Sequence, residues 1–314
     1  MTARILVLGG AHIDRRGRIS GATTPGASNP GSWMAEPGGG AFNAARALSR
    51  LGHSVRLITP RGGDAAGESV AQAAIDAGID DRPFVFLDRA TPSYTAILER
   101  DGNLVIALAD MDLYRLFTPR RLRVSSVRNA LDETDLILTD ANLPAETLAA
   151  ICKAANDRNI PVAAIAISPA KVVRFSAILP QLDFLFMNTA EATALTGWRA
   201  DTTAEWPALL RAKGLKAGIV TNGGDPVVAF NGDESALLAP PPLDHVADVT
   251  GAGDAATAGF LDAVIAHQPL AEALRQAVAC AAITLQATNA TAANLSRAVL
   301  EQHMKLVPPA ENLS

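Results

Sequence analysis

The chain has 314 residues, 49% of them hydrophobic and 19% charged, enough for one large domain or two ordinary ones and too apolar for a disordered chain. Its net charge of -5 argues against duplex nucleic acid or an anionic membrane as partner, because either favours a basic face. Cys152 and Cys280 lie far apart in alanine-rich helical patterns, which speaks against a disulfide framework or a thiolate metal site.

The opening run MTARILVLGGAHID is too short for a signal peptide and is interrupted by Asp14. No stretch reaches membrane-spanning length, so a cytoplasmic protein is expected. In chain order, Arg4–Leu8 reads as a strand, Phe42–Leu51 as a helix, Val55–Thr59 as a strand and Gly67–Ala77 as a helix. The alternation resumes with strand Leu136–Thr139, helix Ala145–Arg158 and strands Val162–Ile167, Phe184–Met187 and Ala217–Thr221. It ends in helices Ala252–Ala266 and Leu270–Leu285. Val/Ile/Leu-rich strands alternating with helices predict an α/β fold: a doubly wound, mainly parallel sheet flanked by helices.

Two stretches break the pattern. Residues 12–35 are rich in Gly, Ser and Pro, and 84–108 reads as two strands around the turn RDGN. Both are expected to form a small β-sheet lid over the strand C-terminal ends, where open α/β sheets bind ligands. The core is then 1–11, 36–83 and 109–314. The arginines at 115, 120, 121 and 123 read as a solvated helix face.

Four motifs point to chemistry. In GGGAFNAARALSRLG (38–52), Gly38 and Gly39 before a helix allow close backbone approach to a ligand, and Asn43 can offer its amide to a hydroxyl; an ordinary turn reads equally well. In NTAEATALTG (188–197), Asn188 and Glu191 have capping-box spacing, or hold a hydrated Mg2+ near a phosphate. In IVTNGGDPVVAF (219–230), Thr221 and Gly223 either line a nucleotide or form a plain hairpin turn. In DVTGAGDAATAGF (248–260), the amides of Gly251, Ala252 and Gly253 at a helix start make an anion hole, with Asp254 placed to accept a hydroxyl proton. An acidic residue balancing the helix dipole is the bland alternative, but it does not need two glycines.

With GGDAAG at 62–67, these motifs are similar, in order and over nearly the whole chain, to those of the PfkB (ribokinase-like) family of carbohydrate and nucleoside kinases. The resemblance implies an ATP-dependent kinase acting on a primary hydroxyl, with Asp254 as base and residues 251–253 as anion hole. It further implies Asp14 and Asn43 on substrate hydroxyls, Asn188 and Glu191 (through water) organising Mg2+ and phosphate, and Thr221 and Gly223 at ATP. Asp248 and Thr250 would border a monovalent-cation site, K+ in some members, and the lid would serve in some members as a homodimer contact. One departure is TNGGDP, where Pro226 stands at the family's second glycine and removes an N–H.

The segments GGAHIDRRG, SNPG (28–31) and DMDLYRLFTP (110–119) resemble those of the family's pseudouridine kinases. Ser28 and Asn29 would then meet a base edge, Tyr94 would pack on it, and Asn142 would join the substrate side. A ribokinase-like, fructokinase-like or nucleoside-kinase acceptor is the alternative, and a ligand-sensing binding protein on the same scaffold is the non-enzyme rival. A dinucleotide oxidoreductase is disfavoured, because LGGAHID lacks G-x-G-x-x-G.

Overall fold

The computed structural model describes residues 1–313. The chain begins with β1 (Arg4–Leu8), β2 (His12–Ile19), β3 (Gly31–Gly38), α1 (Gly40–Arg50), β4 (Ser54–Ile58), β5 (Pro60–Gly62), α2 (Ala65–Asp76) and β6 (Asp80–Asp81). There follow β7 (Phe84–Phe86), β8 (Ser93–Leu98), β9 (Leu104–Asp110), α3 (Ser125–Asp132), β10 (Leu136–Asp140), α4 (Ala145–Asn156), β11 (Val162–Ile165), α5 (Pro169–Val172) and β12 (Phe184–Asn188). The last part holds α6 (Thr189–Thr196), α7 (Trp206–Ala212), β13 (Ala217–Asn222), β14 (Asp225–Asn231), β15 (Glu234–Leu238), α8 (Ala252–Ile265), α9 (Leu270–Leu285), α10 (Arg297–Met304) and β16 (Glu311–Leu313).

The central sheet has the order β16-β15-β14-β13-β12-β11-β10-β1-β4-β6. It is parallel from β6 to β13, and β14, β15 and β16 extend it antiparallel. Alternation along a strand divides the core between the two faces. In β1, Ile5 and Val7 join the cluster under α1, α8 and α9, while Leu6 and Leu8 join the cluster under α4 and α7. Both cysteines are buried and free, as small core residues. The sequence departs from β1 toward β4 on one side and from β10 toward β13 on the other, and this reversal of winding is where doubly wound sheets open a crevice.

The second sheet has the order β3-β2-β8-β9. Its hairpin turn lies where RDGN stands: Gly102 takes a φ of 95°, and its N–H donates to Glu99 O at 3.0 Å. The structure redraws the expected segment, because Phe84–Phe86 pairs with Pro60–Gly62 in a separate two-stranded sheet while residues 36–38 belong to β3. The arginine-rich stretch is a pair of 3-10 turns and not an amphipathic helix face, with Arg121 stacked over Phe84 and Phe86. Among the described residues, no helix is long and apolar enough to cross a membrane.

Candidate active site

A cavity of about 290 Å³ opens at the C-terminal ends of β11, β12 and β13, between the N-termini of α1 and α8. The start of α8 is built by backbone geometry. Gly251 is its N-cap at a φ of 77°, with no side chain capping the helix, and a Cβ there would lie 1.9 Å from Ala290 O. The first intrahelical bond is donated by Ala255 N–H to Gly251 O, at 2.8 Å. The amides of Ala252, Gly253 and Asp254 therefore have no acceptor among the described residues, and a Cβ at Gly253 would meet open space. Free amides at a helix start facing a cavity suit an anion.

Asp254 lines the cavity beside them. Burial pushes its carboxyl up to about 7, the negative charges of Asp140 and Asp14 add to this, and the Asn43 amide and Arg46 guanidinium oppose it. Asn43 Nδ2 donates to Asp254 Oδ2 at 2.8 Å. A carboxylate poised near neutrality, at the edge of an anion hole, is the arrangement a general base needs.

Across the cavity, β2 contributes His12 and Asp14 on one face of the strand. The buried Tyr114 hydroxyl, whose ionisation burial pushes well above the ordinary range, stands 2.9 Å from His12 Nδ1. The other ring nitrogen, Nε2, lies 3.3 Å from Asp14 Oδ1. The floor of the strand ends is pinned by Asp140, whose carboxylate accepts from Gly10 N–H, Ala41 N–H, Asn142 N–H and Asn142 Nδ2.

Asn188 and Glu191 form the capping box of α6: Asn188 Oδ1 accepts from Glu191 N–H at 2.9 Å, and Glu191 Oε2 from Asn188 N–H at 2.8 Å. Both also line the cavity, where burial raises the Glu191 carboxyl above its ordinary range. Cap and cavity residue are thus the same pair, and Glu191 Oε1 has no protein partner among the described residues. An oxygen donor beside a phosphate-sized anion hole fits a hydrated Mg2+ held through water.

Of the sequence-predicted residues, Asp14, Gly39, Asn43, Asn188, Glu191, Thr221, Thr250, Gly253 and Asp254 line this one cavity. Gly251 and Ala252 form its helix start, and Gly38 packs on Asp14, where a Cβ would lie 2.0 Å from Oδ2. The others fall elsewhere. Asn29 closes its own loop, accepting from Thr24 N–H and donating to Thr24 O and Ala27 O, and Ser28 is exposed in that loop. Tyr94 sits in register with Asp14 in the second sheet but does not line the cavity. Asn142 is buried, with Nδ2 on Asp140 and Oδ1 accepting from Lys171 Nζ at 2.7 Å, and does not line the cavity. Gly223, at a φ of 59°, is a turn residue between β13 and β14, and Pro226 borders a separate open groove with Thr189 and Asn222.

Asp248 also differs from expectation. Its Oδ1 accepts from Thr250 N–H at 2.9 Å and its Oδ2 from Arg16, so an ion pair with the second sheet, not read from the sequence, occupies part of this carboxylate. Burial opposes ionisation of Asp248, but these partners outweigh it and hold the carboxyl below its ordinary range.

Sequence reasoning missed His12, Gly40, Ile165, Ile167 and Thr257, which line the cavity as well. Period-two spacing of His12 with Asp14 is the signal that was available for the first. Ile167 had none. It adopts a φ of 70° in a γ-turn closed by Ser168 N–H on Ala166 O at 2.9 Å, a strained conformation for a β-branched residue. Its Cδ1 reaches Gly40, where an added Cβ would lie 2.4 Å from it and 3.1 Å from Asp254 Oδ1.

The comparisons with known proteins bear on the fold and the family. The model of the pfkB family carbohydrate kinases covers residues 2–297, and the chain belongs to that family. It is a sugar or nucleoside kinase, a phosphotransferase with a hydroxyl acceptor, on a ribokinase-like fold. Pseudouridine kinase from Escherichia coli is 29% identical over 285 residues, 90% of each chain. Ribokinase from Bacillus subtilis is 26% identical, covering 81% of this chain and 83% of its own. Among solved structures, a carbohydrate kinase from Agrobacterium tumefaciens superposes with a TM-score of 0.89 at 61% identity, over all of both chains. Arabidopsis thaliana ribokinase, solved with ribose and ATP, shares the fold at a TM-score of 0.84 and 22% identity, over 97% of this chain and 99% of its own.

Proposed function

We propose that the protein transfers the γ-phosphoryl group of ATP to the 5′-hydroxyl of pseudouridine. The observation that supports phosphoryl transfer most is the Asp254 carboxylate beside Gly253 in one cavity, at a helix start whose Ala252 and Gly253 amides have no acceptor among the described residues. Asp254 accepts the proton of the attacking hydroxyl, and the amides hydrogen-bond the oxygens on which charge builds. His12 and Asp14 on one side and Asn43 on the other orient the acceptor. Asn188 and Glu191 would hold Mg2+ through water, and the ion would neutralise phosphate charge there. Pseudouridine is favoured as acceptor by the pseudouridine kinase relative, whose likeness extends over 90% of both chains. A cytoplasmic location agrees with the use of ATP proposed here.

The second sheet acts as a lid and as a homodimer contact. Its edge strand β9 exposes Leu104, Val105, Ile106 and Leu108, and β3 exposes Trp33 and Met34, an apolar surface that a second copy would cover. Sedimentation equilibrium is expected to give a dimer that Ile106→Asp with Leu108→Asp converts to monomer; a monomeric wild type would contradict the contact.

An ADP-release screen over pseudouridine, uridine, inosine, adenosine, ribose, fructose and 2-keto-3-deoxygluconate tests the acceptor. The expected result is preference for pseudouridine. Strong preference for ribose or fructose over every nucleoside would overturn that acceptor and leave the kinase standing.

A further inference from the structure

The α1 helix carries an arginine where packing alone asks for an aliphatic residue. Its neighbours Ala44, Ala45, Ala47 and Leu48 are buried in the core, and Arg46 is 8% exposed among them. A guanidinium is costly there, and its Nε finds no acceptor among the described residues. Its remaining contacts are specific: Nη2 donates to Pro37 O at 2.8 Å and to Asn43 Oδ1, and the plane lies 4.6 Å from the centroid of the Phe42 ring.

A guanidinium only donates, so the Asn43 atom facing Arg46 is the oxygen. The amide nitrogen is thereby turned the other way, onto Asp254 Oδ2 at 2.8 Å. We propose that Arg46 is a positioning residue for phosphoryl transfer: it locks the Asn43 side chain with its NH2 on the Asp254 carboxylate and so keeps that carboxylate in its ionised, proton-accepting form. The inference rests on the kinase reading for its functional meaning, and on geometry alone for the relay itself.

The surroundings show why such help is needed. Asp254 faces Asp14 and His12 from β2, Asp140 from the end of β10 and Glu191 from α6; Arg46 in turn faces Glu36 from β3 and Arg50 one turn along α1. The carboxylates of Asp140 and Asp14 both discourage the ionisation of Asp254. Burial, with Arg50 adding to it, lowers the Arg46 guanidinium to about 10, so it remains charged at neutral pH. It is one fixed positive charge acting on Asp254, directly and through the amide.

The test compares wild type with Arg46→Met, which keeps the packed stem, and Arg46→Gln, which keeps a donor without charge. The Asp254 carboxyl is titrated by 13C NMR, and the acid limb of kcat/KM is recorded with whichever acceptor is turned over. Arg46→Met is expected to move both midpoints upward by roughly half a unit to one unit, and Arg46→Gln part of the way, as loss of a nearby cation and an amide bond should. Titrations superimposable on wild type in whichever variant stays folded by circular dichroism would overturn the relay. A carboxyl that shifts as described in a protein that turns over no acceptor would support the relay and overturn the kinase reading instead.

Discussion

Three residues set what Asp254 can do: Asn43 donates to it, Gly40 leaves room beside it, and Ile167 closes the apolar wall next to that room. Gly40→Ala puts a methyl 3.1 Å from Asp254 Oδ1 and 2.4 Å from Ile167 Cδ1. It is expected to lower kcat/KM about 100-fold while leaving the melting temperature nearly unchanged, because misplacement on the ångström scale is what positioned chemistry tolerates least. Steady-state kinetics and calorimetry of this variant check it. At this scale the sequence was informative where a residue sits in a local motif: Asp14, Asn43, Asn188, Glu191 and Asp254 all line the cavity. It was silent where a role depends on a distant partner. Asn29 and Asn142 look like ligand residues in the sequence, yet the first closes a loop and the second bonds Asp140 and Lys171.

Elements matter mainly through their first turns. The start of α8 is open to an anion because Gly251 alone permits the left-handed cap and the close approach to Ala290 O. Gly251→Ala meets both a strained φ and a carbonyl 1.9 Å away. The expected cost is about 1–3 kcal/mol or more in stability, read by denaturant unfolding, with at least a tenfold fall in kcat as the amides shift. Helices and parallel strands were largely readable, since period and caps are local: Leu270–Leu285 is found as expected, and Ala252–Ala266 ends one residue earlier, at Ile265. Strands with mixed partners were harder. Phe84–Phe86 reads as part of the hairpin, but alternation along a strand carries no information on which strand it pairs with, and its partner is Pro60–Gly62.

Over the whole molecule, the second sheet and the segment ahead of α8 are joined by one ion-pair cluster. Arg16 on β2 binds Glu36 on β3 at 3.0 Å and Asp248 ahead of α8, and Glu36 Oε2 accepts from Ala290 N–H at 3.4 Å. The partners are separated by up to 254 residues, so no local pattern announces them. Arg16→Ala is expected to speed amide hydrogen exchange in β2 and β3 and to raise the acceptor KM roughly tenfold, on the order of 1.4 kcal/mol, with kcat less affected. Unchanged exchange would show that the cluster does not hold the sheet. The doubly wound frame itself was legible from alternating segments, and the hairpin of β13 and β14 from strand, Gly-rich turn and strand at 219–230; β15 and β16 were not, because pairing across α8, α9 and α10 leaves no local pattern.

In the proposed reaction the Asp254 carboxylate removes the acceptor proton at a helix start that cradles the transferring phosphoryl group. Asp254→Asn preserves shape and hydrogen-bonding reach while removing the base, so the decisive measurement is its kcat for ADP release beside that of wild type, with ATP binding read by calorimetry. A fall of about two orders of magnitude or more with ATP affinity retained is predicted. A kcat within a few-fold of wild type would contradict the account.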